Sequence, residues 1–175
     1  MIIMDNFRRN LLVNKLDDEF VDLGLPSGLK WAKGNLKKSG DTCVIGEETD
    51  YGDFWSWANV GLTNDTGWMS SEGGAMTQAM YNSTTGKSQR TDISGTDAVH
   101  DVAYKYLGAT WRLPNVNEFG SLINNTDQEW TTINGIKGTK FMKKTDHSVY
   151  VFFPASGYCI NAGLFNRDEL PYRHA

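Results

Sequence analysis

The chain has 175 residues, of which 39% are hydrophobic, and a formal net charge of −4. This length and composition predict one domain with a short appendage, or at most two small domains, and enough apolar residues for a core. The mild negative charge excludes the basic surface of a nucleic-acid-binding protein, and no apolar run approaches the ~20 residues of a membrane span.

Residues 1–19 differ in composition from the rest of the chain. Their apolar residues fall roughly on one helical face with basic residues around it, which predicts a short amphipathic helix or an extended arm. The segment is either a frayed leader or a docking and oligomerisation arm; we favour the arm, whose contacts would be Phe7, Arg8, Arg9, Leu11 and Leu12. Its apolar stretch is shorter than the ~7–15 residues of a signal peptide, so export by the usual route is not expected.

The domain proper is expected to span residues 20–175 and to begin with a hairpin. Strands are predicted at 20–24 and 29–36, joined by a turn that has Pro26 at its second position and Gly28 at its fourth. The polar residues 37–50 predict a loop. Residues 51–58 are densely aromatic and predict buried irregular structure, and 61–93 form a long polar connection of the kind that is usually functional.

Two helices are predicted next. The first begins at Thr96 or Asp97 and ends before Gly108, which is the natural residue to terminate it. The second begins after Pro114, which keeps the residue before it out of the helical region. Asn115 is a good N-cap, and Glu118 three residues later is placed to complete a capping box.

The last part of the chain predicts three more strands. They lie at 130–133, 139–142 and 148–153, and Asn134-Gly135 between the first two is a strong tight-turn signal. The final twenty residues contain no good strand. The order of strands, long loop, two helices and strands predicts an α+β fold with antiparallel pairing.

Several of these segments resemble, in the same order, the Fibrobacter succinogenes major paralogous domain, which is abundant in gut Bacteroidetes and their phages. The resemblance covers residues 20–158 and is carried by VDLGLPSGLKWA at 21–32, YGDFWSW at 51–57, LG at 107–108, WRLP at 111–114, EF at 118–119, WTT at 130–132, NG at 134–135 and FFPASG at 152–157. Its structural signature here consists of Trp31, Trp57, Trp111, Arg112, Pro114, Glu118 and Trp130. The four tryptophans are expected in the core, and Arg112 is expected to pair with Asp53 or Glu118.

The resemblance implies a C-type-lectin-like fold, in the branch shared with formylglycine-generating enzymes and with variable proteins of diversity-generating retroelements. In that fold two helices flank a small antiparallel sheet, and irregular loops display a binding surface. Family members continue past the FFPASG segment into further strands, whereas this chain ends at Ala175, so the closing strands are expected to be absent. The NFRRNLL start resembles short leaders of phage tail and fibre proteins.

Neither the cysteines nor the histidines form a catalytic or metal-binding pattern. Cys43 and Cys159 are predicted to be free, packed thiols without a Cys-x-x-Cys motif. The three histidines are scattered. Aspartates are numerous enough to suggest calcium, but none forms an EF-hand loop, and turn and cap roles explain most of them. We therefore expect no catalytic residue and no cofactor, with calcium as a minor alternative.

Two aromatic residues of the long polar connection are candidate ligand contacts. Trp68 and Tyr81 could stack on sugar rings, or each could fill a hole beneath the loop. The sequence leaves both interpretations open and favours the second.

These observations predict a non-enzymatic phage virion protein, in a tail, fibre or capsid-associated assembly, with a structural or host-surface-binding role. Its partners would be other virion proteins through residues 1–19, further copies of itself, and a host glycan or protein. A bacterial cell-surface or fimbrial glycan-binding domain is the alternative, and an oxygenase of the formylglycine-generating type is a distant one.

Overall fold

The computed structural model describes residues 1–4, 19–55, 58, 60–62, 68–69, 100–160 and 163–169. They confirm the α+β class, with few helices and small, mostly antiparallel sheets. The elements are β1 (Ile3–Met4), β2 (Phe20–Val21), β3 (Lys30–Ala32), β4 (Leu36–Ser39), β5 (Thr42–Ile45), β6 (Phe54–Trp55), β7 (Trp68–Met69), α1 (Val102–Leu107), β8 (Trp111–Arg112), α2 (Val116–Asn125), β9 (Thr126–Ile133), β10 (Ile136–Lys143), β11 (Asp146–Pro154), β12 (Tyr158–Ile160) and β13 (Gly163–Phe165). Neither described helix is long and apolar enough to cross a membrane.

A four-stranded antiparallel sheet in the order β2-β3-β1-β8 lies at the centre. The predicted hairpin of β2 and β3 is present, and the Gly28 N–H donates to the Leu25 carbonyl at 2.8 Å to close its turn. Its strands are shorter than predicted. The expected single strand over 29–36 is instead two, because β3 ends at Ala32 and β4 begins at Leu36.

Residues 3–4 of the predicted arm form the strand β1. Ile3 pairs with Trp31 of β3 on one side and with Arg112 of β8 on the other, so β1 is an inner strand. A strand of 2 residues shows no periodicity that could have predicted it. Residues 5–18, which include every predicted docking contact, lie outside the described residues.

The central sheet separates two apolar cores because successive side chains of a strand point to opposite faces. Ile2 and Ala32 face one core, and Ile3 and Trp31 face the other. The first core contains Ile2, Ala32, Leu36, Cys43, Val102, Ala103 and Trp111. The second contains Ile3, Leu23, Leu25, Trp31, Leu122, Phe141 and Val151. Trp31 and Trp111 are thus core residues, as expected.

Helix α1 begins later than predicted. Its N-cap is Asp101, whose extended backbone (φ −91°, ψ 118°) excludes it from the helix. Its carboxylate accepts hydrogen bonds from the N–H groups of Ala103 and Tyr104, the role for which aspartate suits an N-cap. The proposed caps Thr96 and Asp97 lie outside the described residues. The prediction of Gly108 as the terminating residue is confirmed, with φ 90°.

Helix α2 has the predicted capping box. The Asn115 side chain accepts from the Glu118 N–H at 3.0 Å, and the Glu118 carboxylate accepts from the Asn115 N–H at 2.8 Å. The helix runs to Asn125. Because both partners of the box lie within four residues, the local sequence was sufficient to predict it.

A second antiparallel sheet consists of β9, β10 and β11, with β10 in the middle. Each strand is longer than predicted. The turn between β9 and β10 has Asn134 at φ 50° and Gly135 at φ 84°, the left-handed conformations that this pair favours. Trp130 is only half-buried, because it lies on β9 at the sheet's edge, so the prediction of a core position was wrong.

Two short hairpins correct further predictions. The expected loop over 37–50 contains β4 and β5, which pair from Leu36 opposite Ile45 to Ser39 opposite Thr42. The final twenty residues contain β12 and β13. The strands of both hairpins have only 3 or 4 residues, so the sequence offers no periodicity by which to predict them. In the aromatic stretch, β6 pairs in parallel with β7.

Candidate binding cleft

A cleft of about 400 Å³ opens where the first core meets the surface. Its wall combines aromatic rings with polar side chains. The lining residues are Met1, Ile2, Asn35, Leu36, Tyr51, Asp53, Phe54, Trp55, Ala58, His100, Val102, Leu113 and Ser156. They come from the two residues before β1, the start of β4, the segment from Tyr51 to Ala58, the start of α1, and the segments after β8 and after β11, so only the folded chain assembles this wall.

Tyr51 is held in the cleft wall from three sides. Its carbonyl accepts hydrogen bonds from the Asn35 amide at 3.1 Å and from the Ser156 hydroxyl at 2.8 Å. Its phenol donates to the Asp168 carboxylate, with both oxygens 2.7 Å away, and the Arg167 guanidinium lies 4.2 Å from the ring centre. Burial and the hydrogen bond to Asp168 raise the pKa of Tyr51. The phenol therefore stays protonated at neutral pH.

Asp53 presents a carboxylate at the cleft wall. Its Oδ2 accepts the Lys38 N–H at 2.6 Å, and its own N–H donates to the Leu36 carbonyl at 3.0 Å. Neither bond involves Oδ1, and no other described residue donates a hydrogen bond to that atom. Gly52 allows the close approach to β4, because a Cβ there would lie 2.7 Å from the Leu36 carbonyl oxygen.

Phe54 and Trp55 form the aromatic part of the wall. The Trp55 indole N–H donates to the Gly61 carbonyl at 3.1 Å, which fixes the ring. The backbone of Trp68, one of the two predicted ligand contacts, pairs with Phe54 in β6 and β7. The structure thus brings β7 beside the cleft wall, while Tyr81 lies outside the described residues.

His100 lies at the cleft, just before the N-cap of α1. The ring is half-buried, and no hydrogen bond joins it to another described residue. The hydrogen-bonding positions of the imidazole are thus unused within the part of the chain that the structure describes.

Arg112 is a structural residue, and Glu118 is the partner that the structure selects. The guanidinium bonds both carboxylate oxygens, at 2.9 Å and 2.5 Å. The alternative partner Asp53 is engaged by Lys38 at the cleft instead. Pro114 is half-buried between β8 and α2, and Trp57 lies outside the described residues.

The described residues contain no cluster of three or more His, Cys, Asp and Glu that could hold a metal ion. Cys43 is a free, buried thiol, and burial raises its pKa to about 11. A thiol of this kind is a poor nucleophile, because the thiolate is the reactive form. His147 is not among the cleft-lining residues, and its ring pairs with Asp127 at 2.8 Å.

The sequence analysis missed Asn35, Asp53, His100 and Ser156 as a group of cleft residues, although Asp53 was considered as a partner of Arg112. Their separation along the chain explains the miss. The available signal was the mixture of Asp with aromatic residues in YGDFWSW, which is typical of a polar site with an apolar wall.

No protein-family model matches the chain, no curated protein is detectably similar to it, and no solved structure matches its fold. The resemblance described above is therefore carried by sequence motifs alone.

Proposed function

We propose that the chain is a non-enzymatic, C-type-lectin-like module of a phage particle, in a tail, fibre or capsid-associated assembly, that binds a host-surface glycan in the cleft. The observation that carries the proposal is the composition of the cleft wall. Phe54 and Trp55 supply apolar ring surface, and Asp53, Asn35 and His100 supply polar groups beside it.

This wall suits a sugar because a pyranose ring has both an apolar face and a rim of hydroxyl groups. An aromatic ring packs on the face, and a carboxylate or an imidazole bonds the hydroxyls. The Asp53 Oδ1 and the His100 ring are unused by described residues and are placed for such bonds. The volume of about 400 Å³ lies within the range of small-molecule sites, and it matches one or two sugar units.

The cleft is also preorganised. Tyr51 is bonded to Asn35, Ser156 and Asp168, so the wall does not need to order on binding. A preformed site loses less conformational entropy when it binds a ligand, which favours affinity.

The polar groups of the cleft support binding rather than catalysis. The Ser156 hydroxyl, the one hydroxyl among the lining residues apart from the Tyr51 phenol, donates to the carbonyls of Tyr51 and Pro154 instead of to a base. Nucleophilic catalysis requires a nucleophile within hydrogen-bond reach of its base, and the described lining residues contain no such pair.

Glycan binding can be tested with an array of host-surface glycans and three single variants of the full chain. We expect Phe54→Ala and His100→Ala to weaken binding at least tenfold, because each removes a group from the wall. Phe165→Ala is the matched control, since Phe165 is an exposed aromatic residue that is absent from the cleft lining. A wild-type chain without glycan binding, or equal losses in all three variants, would contradict the cleft assignment.

The particle assignment needs a separate measurement. Mass spectrometry of purified phage particles should detect the chain at a stoichiometry typical of a structural protein. Its absence from particles and its presence in a bacterial outer-surface fraction would support the cell-surface alternative, in which the same cleft binds a glycan.

A further inference from the structure

Helix α2 has a second apolar face that points to solvent. Leu122 is fully buried on the core side of the helix, whereas Val116, Phe119 and Ile123 are 81%, 36% and 48% exposed. At about 100° per residue, these three residues and Gly120 fall within an arc of about 100°. We name these four residues the outer face of α2.

Phe119 is shared between the two sides of the helix. Its ring contacts Trp31 with centres 5.3 Å apart and Phe153 with centres 6.3 Å apart, and its remaining surface is open. The outer face is therefore continuous with the second core, and it is supported by rigid packing.

Gly120 is unexplained by the fold of the single chain. A glycine in the middle of a helix costs about 1 kcal/mol relative to alanine. A Cβ built at Gly120 would meet no described residue within 4 Å, so none of the described neighbours requires a glycine there. At the centre of an exposed apolar face, a missing side chain lets the backbone of another molecule approach closely.

The outer face carries no charge. Glu118 is the one charged residue of α2, and its carboxylate is turned to Arg112 at 2.5 Å. Two copies of a chain with net charge −4 repel each other over much of their surface. The outer face avoids that repulsion, because an uncharged apolar face matches a second copy of itself.

We infer that the outer face of α2 is the surface through which two copies of this chain associate. The two α2 helices cross at Gly120 about a two-fold axis, so that Val116 of one copy packs against Ile123 of the other. Such an isologous contact buries the same four residues on both copies.

The size of the face sets the strength of the contact. A stable interface uses about 800 Å² from each partner, which is more than four side-chain positions on one helix provide. The isolated dimer is therefore expected to be weak, in the micromolar range. Linking several copies in an assembly would raise the effective concentration and strengthen the contact without any new interaction.

The test is sedimentation equilibrium of the full chain over a range of concentrations, together with thermal unfolding. We expect a concentration-dependent dimer for the wild type. Gly120→Leu should weaken the dimer at least tenfold without lowering the melting temperature of the monomer, because leucine is a good helix former and meets open space at this position. If the copies associated only through non-specific apolar contact, the added leucine would instead strengthen the association.

Two further variants sharpen the result. Thr132→Leu adds the same side chain at an exposed position of β9 and should leave the dimer unchanged. Gly120→Cys should form a disulfide-linked dimer under mild oxidation, because only Cα atoms within about 7 Å can be bridged. The wild type, with Cys43 and Cys159, is its control. Three results would overturn the inference. The wild type could remain monomeric at a protein concentration of about 100 micromolar, Gly120→Leu could dimerise as strongly as the wild type, or Thr132→Leu could lose the dimer.

Discussion

At the scale of single residues, the ion pair of Arg112 and Glu118 is the main polar link between the central sheet and α2. Both side chains are 15% exposed, and the same carboxylate caps the helix through the Asn115 N–H. A half-buried, bidentate pair of this kind is strong because little water competes for its hydrogen bonds. Removal of one partner is costly for the stability of the fold mainly because the other charged group is left without its counter-ion.

We predict that Arg112→Ala lowers the free energy of unfolding by roughly 3 kcal/mol, because it leaves the Glu118 carboxylate buried without its counter-ion. Urea denaturation followed by circular dichroism would measure the loss. Lys37→Ala is the matched control, since the Lys37–Asp50 pair has 40% and 34% exposed side chains. That variant should lose less than about 1 kcal/mol. Equal losses in the two variants would show that burial does not govern the pair.

At the scale of elements, α1 depends on a residue outside it. The helix has only 6 residues, too few to be stable alone. Asp101 is fully buried, and its carboxylate accepts from Ala103 and Tyr104 of the helix and from the Leu113 N–H at 2.7 Å. Burial raises the pKa of Asp101, and these three hydrogen bonds oppose that rise. One side chain thus caps α1 and joins it to the segment after β8.

Replacement of Asp101 should therefore affect both segments together. We predict that Asp101→Ala costs about 3 kcal/mol, because it removes the cap of α1 and the hydrogen bond that the carboxylate accepts from the Leu113 N–H. Hydrogen exchange of the Ala103 and Leu113 amides should accelerate in parallel. Asp101→Asn keeps one carbonyl acceptor and should lose less. Rapid exchange at Ala103 with unchanged exchange at Leu113 would contradict the shared role.

At the scale of the whole molecule, β1 joins the two cores. Ile2 packs into the core that contains Trp111, and Ile3 packs into the core that contains Trp31. Since Ile3 of β1 and the residue directly before this strand serve different cores, neither core can lose this segment without the other. The described structure should therefore unfold as one cooperative unit.

We predict that Ile2→Ala and Ile3→Ala each cost about 2–5 kcal/mol, the range for such truncations in a core. In both variants the unfolding curves from tryptophan fluorescence and from far-ultraviolet circular dichroism should coincide. The two variants serve as controls for each other, because each perturbs a different core. Separate transitions in either variant would mean that the cores unfold independently.

Features that depend on residues close together in the sequence were predicted, and features that depend on distant residues were not. The Asn115–Glu118 capping box, the Asn134-Gly135 turn and the end of α1 at Gly108 were predicted, since each depends on side chains a few residues apart. The hairpin of β4 and β5 and that of β12 and β13 were missed. Their strands have only 3 or 4 residues each, which is too short for an alternating pattern to reveal them.

The cleft shows the same limit. Asp53 was identified, but as a possible partner of Arg112, and His100 was only one of three scattered histidines. His100, Asn35 and Ser156 lie in three separate parts of the chain, and nothing in the sequence indicates that they meet in one cleft. The candidate contact Trp68 was placed in a loop, and only the pairing of β6 with β7 brings its backbone beside Phe54.

The sequence by itself determined the α+β class, the end of α1 at Gly108, the capping box that begins α2, and the turn between β9 and β10 of the second sheet. Caps and turns are set by backbone preferences and by side chains within a few residues, so the local sequence is enough to specify them. Only the tertiary structure decided that β1 is an inner strand, that Glu118 rather than Asp53 pairs with Arg112, and which residues form the cleft. Those outcomes depend on contacts between distant segments, which form only when burial of the two cores brings the segments together.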